Sequence, residues 1–86
     1  MQADKENTNK KICKILGEIV SELKGKKRKT TLAYESDIPR SVLHYIMEGI
    51  KDPQLTTFMR LAIGLNLKPS ELLKMIENRI GDDVEL

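Results

Sequence analysis

The chain has 86 residues, 40% of them hydrophobic, with a net charge of +2 and no tryptophan, so it can form one small domain with an aliphatic core. Cys13 is the only cysteine, which excludes an intrachain disulfide and favours a reducing, cytoplasmic setting. The apolar runs are too short for a membrane span, and the polar N-terminus lacks a signal-peptide core, so we expect neither a membrane anchor nor a secretory leader.

The first predicted helix covers residues 9–24 and follows residues 1–8, whose polar composition predicts a disordered arm. Within the helix, apolar residues recur every three or four positions and form one face. Thr8 or Asn9 can cap its start, and Gly25 can end it. The apolar positions are Ile12, Ile15, Leu16, Ile19, Val20 and Leu23.

Two short helices are predicted after the charged connection GKKRK. The second helix covers about residues 29–36, with Leu32 and Ala33 facing inward. The third helix starts at Pro39, because proline is favoured in the first turn of a helix and disfavoured later. Gly49 ends this third helix.

Two further helices complete an all-α fold of five helices in one domain, residues 9–81, and no alternation of period two predicts a strand. Asp52 and Pro53 predict the cap and first turn of the fourth helix, and Pro69 opens the fifth. Residues 82–86 form an acidic tail. The apolar face of the fourth helix comprises Leu55, Phe58, Met59, Ala62, Ile63 and Leu65. The inward residues of the fifth are Leu72, Leu73, Ile76 and Ile80.

The charges are unevenly distributed along the chain. Residues 10–29 contain eight Lys and Arg residues against two Glu, whereas residues 71–86 contain two basic residues against five acidic ones. A basic half suggests a polyanionic partner on one side of the molecule. Charge alone is equally compatible with a solvated lysine-rich surface.

The third predicted helix has a polar side with an uncommon set of functional groups. Its apolar face carries Val42, Leu43, Ile46 and Met47. The opposite face carries a guanidinium, a hydroxyl, an imidazole and a phenol, from Arg40, Ser41, His44 and Tyr45. These groups provide several donors and acceptors close together. The face is therefore a candidate binding surface, with an ordinary solvated helix face as the alternative.

The ordered apolar and glycine positions over residues 16–76 resemble those of the phage-repressor or Cro-type family, which is also called lambda-repressor-like. The matching positions are Leu32-Ala33, Ile38, Leu43, Ile46, Gly49, Pro53, Leu55, Leu61-Ala62, Leu65 and Leu72-Leu73. The resemblance implies a five-helix domain with a helix-turn-helix motif at about residues 29–48, and it implies binding to double-stranded DNA.

Three residues depart from the family pattern. Asp37 replaces the usual glycine of the turn, and aspartate tolerates a left-handed backbone better than most residues. Lys29 replaces a glutamine at the start of the first motif helix, where the family's glutamine touches the DNA backbone and braces the next helix, and where a lysine can hold a phosphate. Met47 replaces a glutamate before the glycine, which removes a polar anchor.

The resemblance implies that the polar side of the third helix enters the DNA major groove, where each base pair presents a distinct donor and acceptor pattern. The implied base contacts are Arg40, Ser41, His44 and Tyr45. The implied phosphate contacts are Lys29, Thr30, Thr31, Lys51, Thr56 and Thr57. Helix capping is an equal alternative for Thr30, and contact with water alone is an equal alternative for His44.

Three functions are compatible with these observations. The first is a transcription regulator, in the first place a repressor that binds an operator. The second is an antitoxin that binds both DNA and a partner toxin, and the third is a protein-interaction module of the same fold. We expect neither an enzyme nor a cofactor or metal, because one His, one Cys and no glycine-rich loop leave no catalytic or metal-binding set. Asp82 and Asp83 are best explained as part of a solvated tail.

A homodimer is expected for a repressor, because one recognition helix discriminates poorly against the competing sites of a genome. Two copies related by a two-fold axis would bind an inverted repeat. The predicted interface lies on the fifth helix, at Leu72, Met75, Ile76 and Ile80. The alternative is that Leu72 and Met75 complete the core of the monomer.

Overall fold

The computed structural model describes residues 2–81, with residues 2–6 described by their backbone alone. The helices are α1 (Gln2–Lys24), α2 (Lys29–Ser36), α3 (Arg40–Met47), α4 (Leu55–Gly64) and α5 (Pro69–Ile80). No strand occurs within this described part of the chain, so the predicted all-α fold of five helices is confirmed. The predicted acidic tail, residues 82–86, lies outside the described residues.

α3 begins at Arg40, one residue after the predicted start, with Pro39 as its N-cap, and two other helix starts differ from the prediction by more. α1 begins at Gln2 instead of residue 9, so most of the predicted disordered arm is helical; the segment contains no Gly or Pro that would stop a helix. α4 begins at Leu55, after an extended N-cap at Gln54, so the predicted cap at Asp52 and first-turn proline at Pro53 are wrong. Residues 50–54 form an irregular connection without helix or turn, and proline biases the residue before it towards an extended backbone.

The helices pack in pairs around one core. α1 packs against α3 and α5, α2 packs against α3 and α4, and α4 packs against α5. Burying each Leu, Ile or Val side chain of such a core contributes about 1.5–3 kcal/mol. The buried core residues are Leu16, Ile19, Val20, Leu32, Ala33, Ile38, Leu43, Ile46, Leu61, Ala62, Leu72, Ile76 and Ile80.

Three helices end in the same left-handed turn. After α2, Asp37 has φ 55° and ψ 47°, and the N–H groups of Asp37 and the next residue donate to the carbonyls of Tyr34 and Ala33 at 3.1 Å each. This pair of bonds defines a Schellman motif. The same bonds end α3 at Gly49 and α4 at Asn66, whose φ angles are 76° and 62°. The predicted turn at Asp37 therefore forms without glycine.

Two glycines allow close approach between helices. A β-carbon on Gly17 of α1 would lie 2.6 Å from the carbonyl oxygen of Met47 and 2.8 Å from that of Ile46. A β-carbon on Gly64 of α4 would overlap the hydroxyl of Ser36 in α2. Real β-carbons do not approach other atoms this closely, so α1 rests directly on the backbone at the end of α3. This contact fixes where α3 lies.

The structure corrects the predicted dimer interface. Leu72, Ile76 and Ile80 are buried inside the monomer, and Met75 is partly buried against the same core. Leu73, which was predicted to face inward, is 59% exposed. α5 is therefore rotated so that residues at spacing four face α1 and α4. These core side chains are not available to a second copy without unfolding the domain.

The predicted apolar face of α4 is divided in the same way. Leu61 and Ala62 are fully buried, and Phe58 and Leu65 pack partly against the core. Three members of the predicted face instead lie on the solvent side at spacing four: Leu55, Met59 and Ile63, with 74%, 43% and 63% of their surface exposed.

Candidate nucleic-acid interface

α3 presents its polar side to solvent. Leu43 and Ile46 are fully buried and anchor the helix to α1 and α2. Val42 and Met47 pack partly against the same core. The four predicted base-contacting residues lie on the other side of the helix. Arg40, Ser41 and Tyr45 are exposed, and His44 is half-buried.

His44 connects α3 to the start of α2. Its Nδ1 lies 3.2 Å from the Nζ of Lys29, and its Nε2 lies 3.8 Å from a carboxylate oxygen of Glu48 one turn later. Its ring meets the ring of Tyr45 edge-on, with centroids 5.5 Å apart. The N-terminus of α2 therefore lies beside the polar side of α3, and Lys29 contacts the candidate interface directly.

The first turn of α2 carries three predicted phosphate contacts. Lys29, Thr30 and Thr31 occupy its first three positions, after an extended N-cap at Arg28 that makes no side-chain capping bond. Thr30 is therefore not the cap of α2. Both threonines are exposed. The backbone N–H groups and the dipole of a helix N-terminus favour an anion at this position.

The first turn of α4 repeats this arrangement. Thr56 and Thr57 occupy its second and third positions, after an extended N-cap at Gln54. Thr56 is exposed, whereas Thr57 and Lys51, in the preceding loop, are half-buried. The structure thus places all six predicted phosphate contacts at the starts of α2 and α4 or in the loop before α4.

The basic connection between α1 and α2 is ordered by its own lysines. Lys24 Nζ donates to the carbonyls of Lys27 at 2.6 Å and Gly25 at 3.3 Å. Lys27 pairs with Glu35 of α2 at 2.8 Å, so its charge is partly neutralised. The connection is held near the start of α2, which keeps its remaining positive charge close to Lys29.

Cys13 is buried beside the loop that follows α3. Burial raises the pKa of the Cys13 thiol, and the nearby Asp52 carboxylate raises that pKa further. A thiol with a raised pKa is a weak nucleophile and a weak metal ligand. Within residues 7–81, whose side chains the structure describes, no three His, Cys, Asp or Glu side chains are grouped to hold a metal ion. No helix within residues 2–81 is both long and apolar enough to cross a membrane.

Three features of the site were not predicted, although two of them have a signal in the sequence. Gly17 has a signal, because it interrupts the apolar face of the first helix with a residue that lacks a side chain. Asn66 also has one, because asparagine tolerates a left-handed turn. The contact between Lys29 and His44 has none, because it joins residues on separate helices.

Comparisons with protein-family models, with curated proteins and with solved structures found no match to this chain. The site is therefore defined by its own geometry. It is a short helix held by buried aliphatic residues, with a polar side that extends to the first turns of two neighbouring helices.

Proposed function

We propose that this protein is a transcription regulator of the phage-repressor type, a repressor that binds an operator in double-stranded DNA. The observation that supports the proposal is the polar side of α3, where Arg40, Ser41 and Tyr45 are exposed beside the start of α2. An α-helix fits the major groove, and these groups match the base edges there. The proposal includes a cytoplasmic location, where Cys13 remains a thiol.

The side chains of α3 have distinct capacities in a major groove. Arg40 is at the N-terminus of α3, and its guanidinium can donate two bonds to the O6 and N7 atoms of guanine. Ser41 can donate or accept. Tyr45 can bond through its phenol or lay its ring against a thymine methyl group. Glu48 lies at the far end, where it can accept from cytosine or remain outside the groove.

The flanking residues supply the sequence-independent part of binding. The first turns of α2 and α4 both offer backbone N–H groups and hydroxyls, and Lys29 and Lys51 add positive charge. Such contacts hold the protein on the phosphate backbone and fix its orientation, without reading sequence. About six phosphates neutralised by these residues and the basic connection would make binding strongly dependent on salt.

We also propose that the regulator binds DNA as a homodimer, through a surface formed by Leu55, Met59 and Ile63 of α4 with Leu73 of α5. We call this surface the α4 patch. Leu55 and Leu73 line one mainly apolar groove of about 320 Å³ together with Phe58, residues of α1 and α5, and Asp52 and Pro53 of the loop before α4. Large exposed apolar surfaces on small domains mark interaction sites.

The sparse charge of α4 favours a second copy of the chain as the occupant of the α4 patch. Arg60 is the only charged residue in α4, so two copies of this helix can meet across a two-fold axis with little like-charge repulsion. A different protein that is recognised through complementary charges would need a charged binding surface, and the α4 patch is not one. A toxin or another protein on this surface is the competing occupant.

Selection from random duplex DNA with the purified protein tests the proposal. We expect enrichment of one inverted repeat, and log K for that site should fall with log salt at a slope of about −5 if about six phosphates are contacted. A salt-independent affinity, or the absence of any enriched sequence at low salt, would refute DNA recognition. It would leave the protein-interaction module as the better explanation.

A further inference from the structure

The contact between Lys29 and His44 determines which nitrogen of the imidazole carries a proton. An ammonium group has three donors and no acceptor, so Lys29 Nζ can only donate. At 3.2 Å from Lys29 Nζ, Nδ1 of His44 must therefore be the acceptor and carry no proton. In a neutral imidazole the other nitrogen, Nε2, then carries the hydrogen and is a donor.

The Nε2–H group is available to a ligand. A carboxylate oxygen of Glu48 lies 3.8 Å from Nε2, which is too long for a hydrogen bond. The His44 side chain is 46% exposed and lies on the same side of α3 as Tyr45, whose ring it contacts edge-on. The Nε2–H group of His44 is therefore a hydrogen-bond donor at a fixed position among the candidate base contacts.

We propose that His44 contacts DNA as a donor, through Nε2–H, to the N7 atom of a purine in the major groove, and that Lys29 sets the tautomer that makes this contact. The inference depends on the proposed DNA binding and adds the chemical group that is recognised. N7 is an acceptor on both guanine and adenine. Lys29 is thus a positioning residue for His44, in addition to any contact that it makes with phosphate.

The first test needs no DNA. His44 is the only histidine in the chain, so nitrogen-15 NMR of the whole protein reports one imidazole without assignment. We expect the neutral imidazole of the wild type to carry its proton on Nε2. In Lys29→Glu the carboxylate can only accept, so the proton should move to Nδ1. A wild type with the proton on Nδ1, or a tautomer that does not respond to residue 29, would overturn the assignment of roles.

The second test replaces each purine of the selected operator in turn by its 7-deaza analogue, which lacks the N7 acceptor. A loss is expected at any guanine whose N7 accepts from Arg40, and the wild type should also lose about tenfold in affinity at the one purine of each half-site that His44 contacts, as expected for one hydrogen bond. His44→Ala and Lys29→Glu should bind the natural operator more weakly and show no further loss at that purine. Arg40→Ala should retain the loss, because Arg40 contacts another base.

Controls separate this inference from its alternatives. Lys51→Glu makes the same change of charge in the loop before α4, and it should weaken binding while keeping the 7-deaza effect. A backbone phosphate can also be replaced by an uncharged methylphosphonate. If the affinity loss that depends on His44 occurs at such a replacement and not at a purine, His44 contacts a phosphate. The inference then fails, whereas DNA recognition stands. If no operator is ever selected, the proposed function fails and the DNA contact of His44 fails with it.

Discussion

Arg79 in the last turn of α5 holds Glu22 in the last turns of α1 through two parallel hydrogen bonds. Its Nη1 and Nη2 donate to the two carboxylate oxygens at 2.8 Å and 2.6 Å, across 57 residues of sequence. The hydrogen bonds from Arg79 hold the pKa of Glu22 below its ordinary range, and the positive charge adds to this effect. The pair joins the ends of two helices that frame the core.

We expect Glu22→Gln to lower the melting temperature slightly at neutral pH, since exposed pairs stabilise weakly. A carboxyl with a lowered pKa in the folded state stabilises above its unfolded pKa, which is about 4.3. That stabilisation is lost as pH falls through the folded pKa. The difference between wild type and variant should therefore close below about pH 4. Thermal melts across this range check it, and exposed Glu77→Gln should show a smaller difference.

Gly17→Ala should destabilise the domain although alanine favours helices. The new methyl group would meet the backbone carbonyls of Met47 and Ile46, which cannot rotate away as side chains do. Overpacking of this kind costs about 1–3 kcal/mol, against a helix-propensity gain of about 1 kcal/mol. Because α3 must shift, operator affinity should also fall. Denaturant unfolding measures the first effect, and Ser21→Ala, an exposed change in the same helix, should be neutral or stabilising.

Asp37→Gly should stabilise the domain. Asp37 has a φ of 55°, which costs a residue with a side chain about 1 kcal/mol more than glycine. We expect a gain of about 0.5–1 kcal/mol, reduced by the greater freedom of glycine in the unfolded chain. Lys74→Gly, in the exposed middle of α5, is the control and should lose about 1 kcal/mol. Equal losses in both variants would contradict the role assigned to the left-handed turn.

The local features of this fold could be predicted from the sequence, whereas several long-range features could not. The two faces of α3 follow from spacing alone, because its apolar residues recur at intervals of three and four and therefore lie on one side of the helix. The adjacent pair Leu72-Leu73 does not reveal which leucine faces inward, because both are equally apolar and the packing of α5 decides. The contacts Glu22–Arg79 and Lys29–His44 depend on helix orientation, which no local pattern encodes.

Arg40→Ala and Tyr45→Ala should each weaken operator binding by about 1–3 kcal/mol and leave binding to random DNA almost unchanged. Both side chains are exposed, so neither change should lower stability much. Lys51→Ala should weaken binding to both kinds of DNA about equally, because phosphate contacts do not depend on sequence. Competition binding with operator and random duplexes checks this. Uniform losses for all three variants would contradict this division of roles.

Ile80→Asp should unfold the protein. Ile80 belongs to the core and is only 9% exposed, and an unpaired charge in such a place is strongly destabilising. Circular dichroism at low temperature would reveal the loss of helix. A folded Ile80→Asp monomer would indicate that the end of α5 is looser than the structure describes, and it would return α5 to consideration as the dimer interface.

The α4 patch should produce a weak dimer that DNA strengthens. The patch consists of four apolar side chains, so the area that it can bury is small compared with the roughly 800 Å² per partner of a standard interface. We therefore expect sedimentation to show monomers that associate at micromolar concentrations. Two copies on one inverted repeat would bind together, since each holds the other close to its half-site.

Ile63→Lys and Leu73→Lys should abolish this association while the domain stays folded, because both side chains are mostly exposed and two copies would bring like charges together across the two-fold axis. The affinity for the operator should fall by about 100-fold, because the first copy no longer holds the second close to its half-site. The two half-sites should then be occupied independently. Asn78→Lys, which adds the same charge on an exposed part of α5, should leave dimerisation unchanged. If both patch variants remain dimeric, the interface lies elsewhere. If the wild type is monomeric even on its operator, the two-fold model is wrong, and the α4 patch is left for a different protein partner.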